Sequence, residues 1–170
     1  SLVQEKVQQA IQLLGDCGLD CWVTFVRESE INGDPMLAYV LGANVTWPSA
    51  FIICRNGHTC AVVGEGDRHT VLDAGVYQQV IGYVRDFRES LAAVLAGLAP
   101  RVIGLNYSRG SEIADGLTHG MFLTLHDMLE SAGLADRIVP AERLIASLRG
   151  RKSDAELLSD RPIFNTIATI

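Results

Sequence analysis

Nothing in this sequence is strongly basic. Lys and Arg number 14 against 20 Asp and Glu, a formal net charge of −6. An acidic chain without a basic block is a poor match for a phosphate backbone, so no nucleic-acid partner is expected. Cysteine is scarce: Cys17, Cys21, Cys54 and Cys60 are too few in 170 residues for a disulfide framework. A signal-peptide pattern is also missing, because the first twelve residues hold Glu5, Lys6 and four glutamines and read as helical surface. One uncharged stretch, residues 35 to 54, has the length of a membrane span. Gly42, Asn44, Thr46 and Pro48 interrupt it, so a helix, a loop and a buried strand are expected there, with no membrane association. Asn44-Val45-Thr46 would accept a glycan only in a secreted protein, and the expected location is cytoplasmic. Ser1 in place of an initiator Met is expected to mark a processed or recombinant boundary. There is no internal repeat and no low-complexity segment.

What is present is an ordinary globular balance, 48% hydrophobic and 20% charged, in a length that suits one domain with a real core. Apolar residues at Leu2, Val3, Val7, Ala10, Ile11 and Leu14 recur three and four apart, which predicts an amphipathic helix ended by Gly15 or Gly18. Cys21 to Val26 is short, aromatic and β-branched, hence a strand. A short helix over 36–41 closes at Gly42. Two apolar runs, 50–54 and 59–63, bracket Arg55-Asn56-Gly57-His58, and Asn-Gly between such runs predicts a hairpin. Beyond it the pattern predicts helices over 67–74, 87–98, 117–131 and 141–148. Strands are predicted over 80–84, 101–105 and 137–139. The expected fold is α/β: a mixed, mostly parallel sheet of about five or six strands with one antiparallel hairpin and helices on both faces.

Near the C-terminal end, Ser153-Asp154-Ala155-Glu156 is a capping box that starts a helix after the basic trio Arg149, Arg151 and Lys152, and Pro162 then cuts across it. The sequence therefore divides into a domain over 1–152 and the start of a linker or first helix over 153–170.

Candidate chemistry is thin. With a two-residue Asn56-Gly57 turn, Cys54 and Cys60 would face opposite sides of the ribbon; a longer loop would bring them together. The intervals between cysteines, three and five residues, match no zinc knuckle. Gly64-Glu65-Gly66 lies between a strand and a helix, where a dinucleotide fingerprint would sit. Its third glycine is replaced by His69, and Asp86 follows no evident second parallel strand. His58, His69, His119 and His126 are scattered. His119 and His126 are seven apart where metal chelation on one helix prefers four, and Asp127 points a quarter-turn away. There is no G-x-S-x-G elbow and no P-loop. The densest carboxylate cluster, Glu28, Glu30 and Asp34, follows the first strand, the end where α/β sheets present ligand-facing groups.

Taken in order, several short motifs resemble the N-terminal domain of the creatinase/prolidase family of pita-bread metallopeptidases. They are Gly18-Leu19-Asp20 before the first strand, Tyr39-Val40-Leu41-Gly42, the hairpin around Phe51 to Gly57, and Val102-Ile103-Gly104-Leu105. The exit, Arg149-Gly150-Arg151-Lys152-Ser153-Asp154-Ala155-Glu156, resembles the family's Arg-x-x-Lys-Ser-x-x-Glu step. Val40 and Leu41 replace the family's usual leucine and threonine, which marks a divergent subgroup.

The resemblance implies a non-catalytic domain. In the family, two aspartates, one histidine and two glutamates of the following domain hold two divalent metal ions (Mn, Co or Zn), and no such ligand or cofactor site is transferred to this chain. The implied partners are that catalytic domain and further copies of the same chain, as a homodimer or a higher homo-oligomer. The implied role is to support assembly and wall the active site, with Arg27, Glu28, Glu30, Asp34, Tyr39 and Trp47 as the contact residues. Trp47 could wall a proline-containing substrate or pack beside the hairpin. The parent would be an Xaa-Pro aminopeptidase or dipeptidase-like hydrolase, and this segment alone would hydrolyse nothing. The competing expectations are a protein-binding module with a peptidase-like fold, and a small-molecule-binding domain built on the Gly64-Glu65-Gly66 turn.

Overall fold

The computed structural model describes residues 1–158. Its six strands are β1 (Cys21–Val26), β2 (Ser49–Cys54), β3 (Thr59–Gly64), β4 (Gln79–Tyr83), β5 (Ile103–Leu105) and β6 (Ile138–Pro140). They form one sheet in the order β4-β3-β2-β1-β5-β6. Three pairs are parallel, β3–β4, β1–β5 and β5–β6. Two are antiparallel, the β2–β3 hairpin and β1–β2. The mixed, mostly parallel sheet is the one expected; the second antiparallel pair arises because the chain crosses the long 27–48 segment and returns beside β1.

Helices cover both faces. On one lie α1 (Leu2–Asp16), α3 (Leu37–Val40), α4 (Arg68–Ala74) and α7 (Glu142–Gly150), packed on Trp22, Val26, Phe51, Ile53 and Val63. On the other lie α5 (Phe87–Leu98) and α6 (His119–Ser131), packed on Val23, Phe25, Ile52 and Val62. Alternation along each strand divides the side chains between these two cores. Every residue of β1, β2 and β3 is buried, which is why these runs read as continuously apolar.

Local rules explain the boundaries. Ser1 and Gln4 form a capping box at the start of α1. Asp86 accepts from the Arg88 and Glu89 N–H groups to start α5, and Thr118 accepts from Met121 N–H to start α6. A short helix missed by the sequence pattern, α2 (Ser29–Asn32), lies in the segment after β1 that carries Glu28, Glu30 and Asp34.

The hairpin corrects the simpler cysteine geometry. Cys54 N–H donates to His58 O at 2.9 Å, and Ile52 pairs with Cys60. The loop is therefore Arg55-Asn56-Gly57, with Gly57 at φ +92°, a left-handed conformation that favours glycine. The extra residue shifts the register by one, so Cys54 and Cys60 share a face. Asp86 is also corrected: it does follow a second parallel strand, β4, but its carboxylate is used as the α5 cap. No described helix is long and apolar enough to cross a membrane. The expected interruption at Pro162 lies outside the described residues.

Candidate functional site

β1, β3, β4, β5 and β6 all end at one edge of the sheet, and the segments that follow them, with residues 27–48 ahead of β2, form its surface. This edge is built on a buried polar network. Trp22 Nε1–H donates to Asn106 Oδ1 at 2.6 Å. Asn106 Nδ2–H donates to Thr24 Oγ1 at 3.2 Å and to Asp34 Oδ2 at 3.0 Å. Met36 N–H donates to Asp34 Oδ1 at 2.8 Å. Asp34 is only 5% exposed. Burial raises its carboxyl above the ordinary 3.8, the Met36 and Asn106 donors pull it back, and Asp115 adds a further upward push. Gly116 lies against that carboxylate, where a Cβ would collide with it. Asp34 is thus a buttress beneath the 27–47 segment and does not project from it.

Above the buttress the expected contact residues separate. Arg27, Glu28 and Glu30 are exposed. Glu30 Oε1 accepts from Asn44 Nδ2 at 3.4 Å, and Asn44 Oδ1 accepts from the Ser29 hydroxyl, stitching α2 to the return segment. Ile31 on the same turn is 78% exposed. Trp47 packs beside the hairpin: one face lies on Gly64 and 6.1 Å from the Tyr83 ring, and the residue remains 47% exposed. Asp67 fixes it by accepting from the Thr46 and Trp47 N–H groups at 2.9 and 3.2 Å. That interaction and the Glu65–Arg68 ion pair fill the Gly64-Glu65-Gly66 turn with carboxylates, which disfavours a dinucleotide pyrophosphate there.

Tyr39 belongs to a second constellation, one that sequence reasoning missed. Lys6, fully buried in α1, donates to the Leu148 and Arg151 carbonyls and lies 3.1 Å from Glu156. Its ammonium sits 4.7 Å above the Tyr39 ring, and the Tyr39 hydroxyl donates to Glu156 Oε1 at 3.4 Å. Glu156 Oε2 accepts from Ser153 N–H at 2.8 Å while Ser153 Oγ accepts from Glu156 N–H at 3.1 Å, so the capping box forms as expected. Burial pulls the Glu156 carboxyl upward, but the Ser153 N–H and the Lys6 ammonium outweigh it and hold it below the ordinary 4.5. Lys6 thereby ends α7 and points the following helical turn. The available signal was a lone lysine among the apolar positions of α1, one residue before Val7.

Among the described residues, the groups that could converge on a metal ion are His126, Asp127 and Glu130, outward on α6. Three donors on one helix, two of them exposed, do not fit a two-metal clamp, which needs several carboxylates at fixed separation around both ions.

No protein-family profile matches the sequence, and no curated protein matches it significantly. Solved structures do. The fold is similar to an X-Pro aminopeptidase from Thermotoga maritima, with TM-score 0.66 at 15% identity over 96% of this chain and 43% of that one. It is similar to an Xaa-Pro dipeptidase from Bacillus anthracis, with TM-score 0.64 at 14% identity over 99% of this chain and 44% of that one. It also matches the creatinase/prolidase N-terminal domain of an X-Pro dipeptidase from Streptococcus pyogenes, with TM-score 0.61 at 15% identity over 85% of this chain and 98% of that one. The chain spans less than half the length of the first two, and nearly the whole of the third. The fold is that of a creatinase/prolidase N-terminal domain.

Proposed function

We propose that this chain is the non-catalytic N-terminal domain of an Xaa-Pro peptidase or creatinase-like metallohydrolase. In this reading it docks on a catalytic domain of the same protein, supports homo-oligomer assembly and walls one side of the active site. The observation that carries the reading is the match of a single-domain fold to a solved creatinase/prolidase N-terminal domain along 98% of that domain's length. The Lys6–Glu156 joint agrees with it, since it fixes the direction of the helical turn that would lead to the next domain. Walling falls to the exposed Arg27, Glu28, Glu30 and Trp47, held in place from below by Asp34 and Asp67. The two divalent metal ions would be held wholly by the catalytic domain and would activate the hydrolytic water there.

The deciding experiment is to read the parent gene beyond codon 170. Two aspartates, one histidine and two glutamates, in order within a following domain, support the reading. A stop codon, or a domain without those ligands, overturns it in favour of a protein-binding module. A second check is catalytic: the purified 170-residue chain with Mn²⁺ or Co²⁺ leaves Xaa-Pro peptides intact, and cleavage by it would defeat the proposal.

A further inference from the structure

The opposite edge of the sheet holds a different chemistry. Cys21 and Cys54 face one another as register partners on antiparallel strands. Arg55 N–H donates to Asp20 O at 2.8 Å, one step beyond the pair, while Cys21 N–H is directed to Val102 O. Cys21 and Cys54 therefore occupy a non-hydrogen-bonded site, where facing Cα atoms lie about 4.5 Å apart and side chains approach most closely. That spacing falls within the range a disulfide spans, roughly 4.4–6.8 Å. Cys60, the third thiol on this face, sits diagonally from Cys54, about 7–8 Å away, at the limit of bridging.

The pair is reachable from solvent. A surface cavity of about 520 Å³ is lined by Cys21, Cys54, Arg55, Asn56 and Arg101, among others. Among the described residues neither guanidinium has a carboxylate within ion-pair distance. The nearby Asp20 carboxylate is occupied by the Arg101 and Val102 N–H groups, at 2.8 and 3.1 Å. Two thiols thus stand at the wall of a pocket lined by two guanidinium groups and one carboxylate, Asp20, so the net charge of its lining is positive although the Asp20 charge itself raises both thiols.

We propose that Cys21 and Cys54 form a reversible cross-strand dithiol–disulfide couple, oxidised by a small anionic disulfide that enters this cavity. Cys54, 5% exposed against 1% for Cys21, reacts first. Its thiol gives its proton to solvent, and the thiolate attacks one sulfur of the disulfide. That S–S bond breaks, and the departing thiolate takes up a proton. Cys21 then loses its proton and attacks Cys54 Sγ, expelling the second small thiol. Two protein thiols are oxidised and one small disulfide is reduced to two thiols. Burial, followed by the Asp20 charge, pushes the Cys54 thiol up to about 11, and burial, Cys54 and Asp20 push Cys21 further still, so exchange is slow near neutral pH. Its rate should rise about tenfold per pH unit, as the thiolate fraction does.

The test incubates the folded 170-residue chain with glutathione disulfide at pH 7 to 9, followed by non-reducing digestion and mass mapping. The expected product links the Cys21 and Cys54 peptides with the loss of two hydrogens, leaves Cys60 free, and is undone by dithiothreitol. Cys60→Ser should retain the link, and Cys54→Ser should lose it while keeping the native circular-dichroism spectrum. A Cys54–Cys60 link, a mixed disulfide confined to Cys17, or no thiol loss until the chain unfolds would overturn the couple. Cystamine, a cationic disulfide, should react on the order of tenfold more slowly than the anionic one. Equal rates would remove the role given to Arg55 and Arg101.

Discussion

Two buried ionic side chains, Lys6 and Asp34, solve the same problem in opposite ways. Lys6 meets a counter-charge, Glu156, together with two backbone carbonyls and the face of an aromatic ring. Asp34 meets only neutral donors, the Met36 amide and the Asn106 side chain, and its carboxyl is pushed up. Paired burial keeps an ion charged; unpaired burial moves a group toward its neutral form. The placement differs accordingly. The ionic joint ties α1 to the 153–156 turn, and its partner residues are far apart in sequence. The Asp34–Asn106 network lies under the surface loops and ties β1 and β5 to them.

Breaking the network should cost most. Asn106→Leu fills a similar volume but leaves Trp22 Nε1–H and Asp34 Oδ2 without their partner. With each unsatisfied buried group costing about 1–3 kcal/mol, the expected loss is roughly 3–5 kcal/mol. For a chain of this size that is a Tm drop on the order of 10 °C. A drop near zero in a melting curve would mean that the network carries no load. Lys6→Met comes next: the Leu148 and Arg151 carbonyls lose their donor, at about 2–3 kcal/mol. Its distinguishing mark is local. Amide exchange should accelerate over residues 151–157 while the β1–β5 amides stay protected, and uniform acceleration would refute the joint as a separate device.

The pH responses should also oppose one another, because the two carboxyls shift in opposite directions on folding. Asp34 is raised when folded, so the folded state binds the extra proton. Its contribution is fully present below about pH 4 and is lost as pH rises through the higher folded value. Glu156 is lowered, so its contribution is present above the ordinary 4.5 and is lost as pH falls through the lower folded value. Asp34→Asn should flatten the stability profile on the side just above pH 4, and Glu156→Gln the side just below 4.5. Denaturant melts from pH 3 to 7 check this; identical profiles for the two variants would erase the contrast.

Most of the elements were legible because their signals are local. The α5 span follows from its apolar spacing and its Asp86 cap, and the 153–156 box from two residues three apart. What was missed is what depends on distant partners. Nothing near Asp34 foretells Asn106, 72 residues on, so a buried buttress read as part of an exposed carboxylate cluster. Nothing near Lys6 foretells Arg151, 145 residues on. The hairpin register turned on a single loop residue, and with it which face Cys54 shares with Cys60. Trp47 was legible as an aromatic in a loop, but its seat on Gly64 required the tertiary fold.

The smallest effect gives the sharpest view of Tyr39, which lies against Lys6 and Glu156. Its hydroxyl donates to Glu156 Oε1 across 3.4 Å, a long bond at a half-buried site. Tyr39→Phe removes that bond and keeps the ring under the ammonium, so the expected loss is about 0.5 kcal/mol or less. Tyr39→Leu removes the ring as well, and a desolvated cation–π contact adds about 1–2 kcal/mol. Lys6→Met should shrink the difference between the two Tyr39 variants, because the ammonium over the ring is gone while Arg149 stays beside the hydroxyl. A double-mutant cycle in denaturant measures this coupling. A coupling near zero would reduce Tyr39 to a spacer between α1 and the 153–156 turn. A clear coupling would make ring, ammonium and carboxylate one unit that fixes the 153–156 turn against α1.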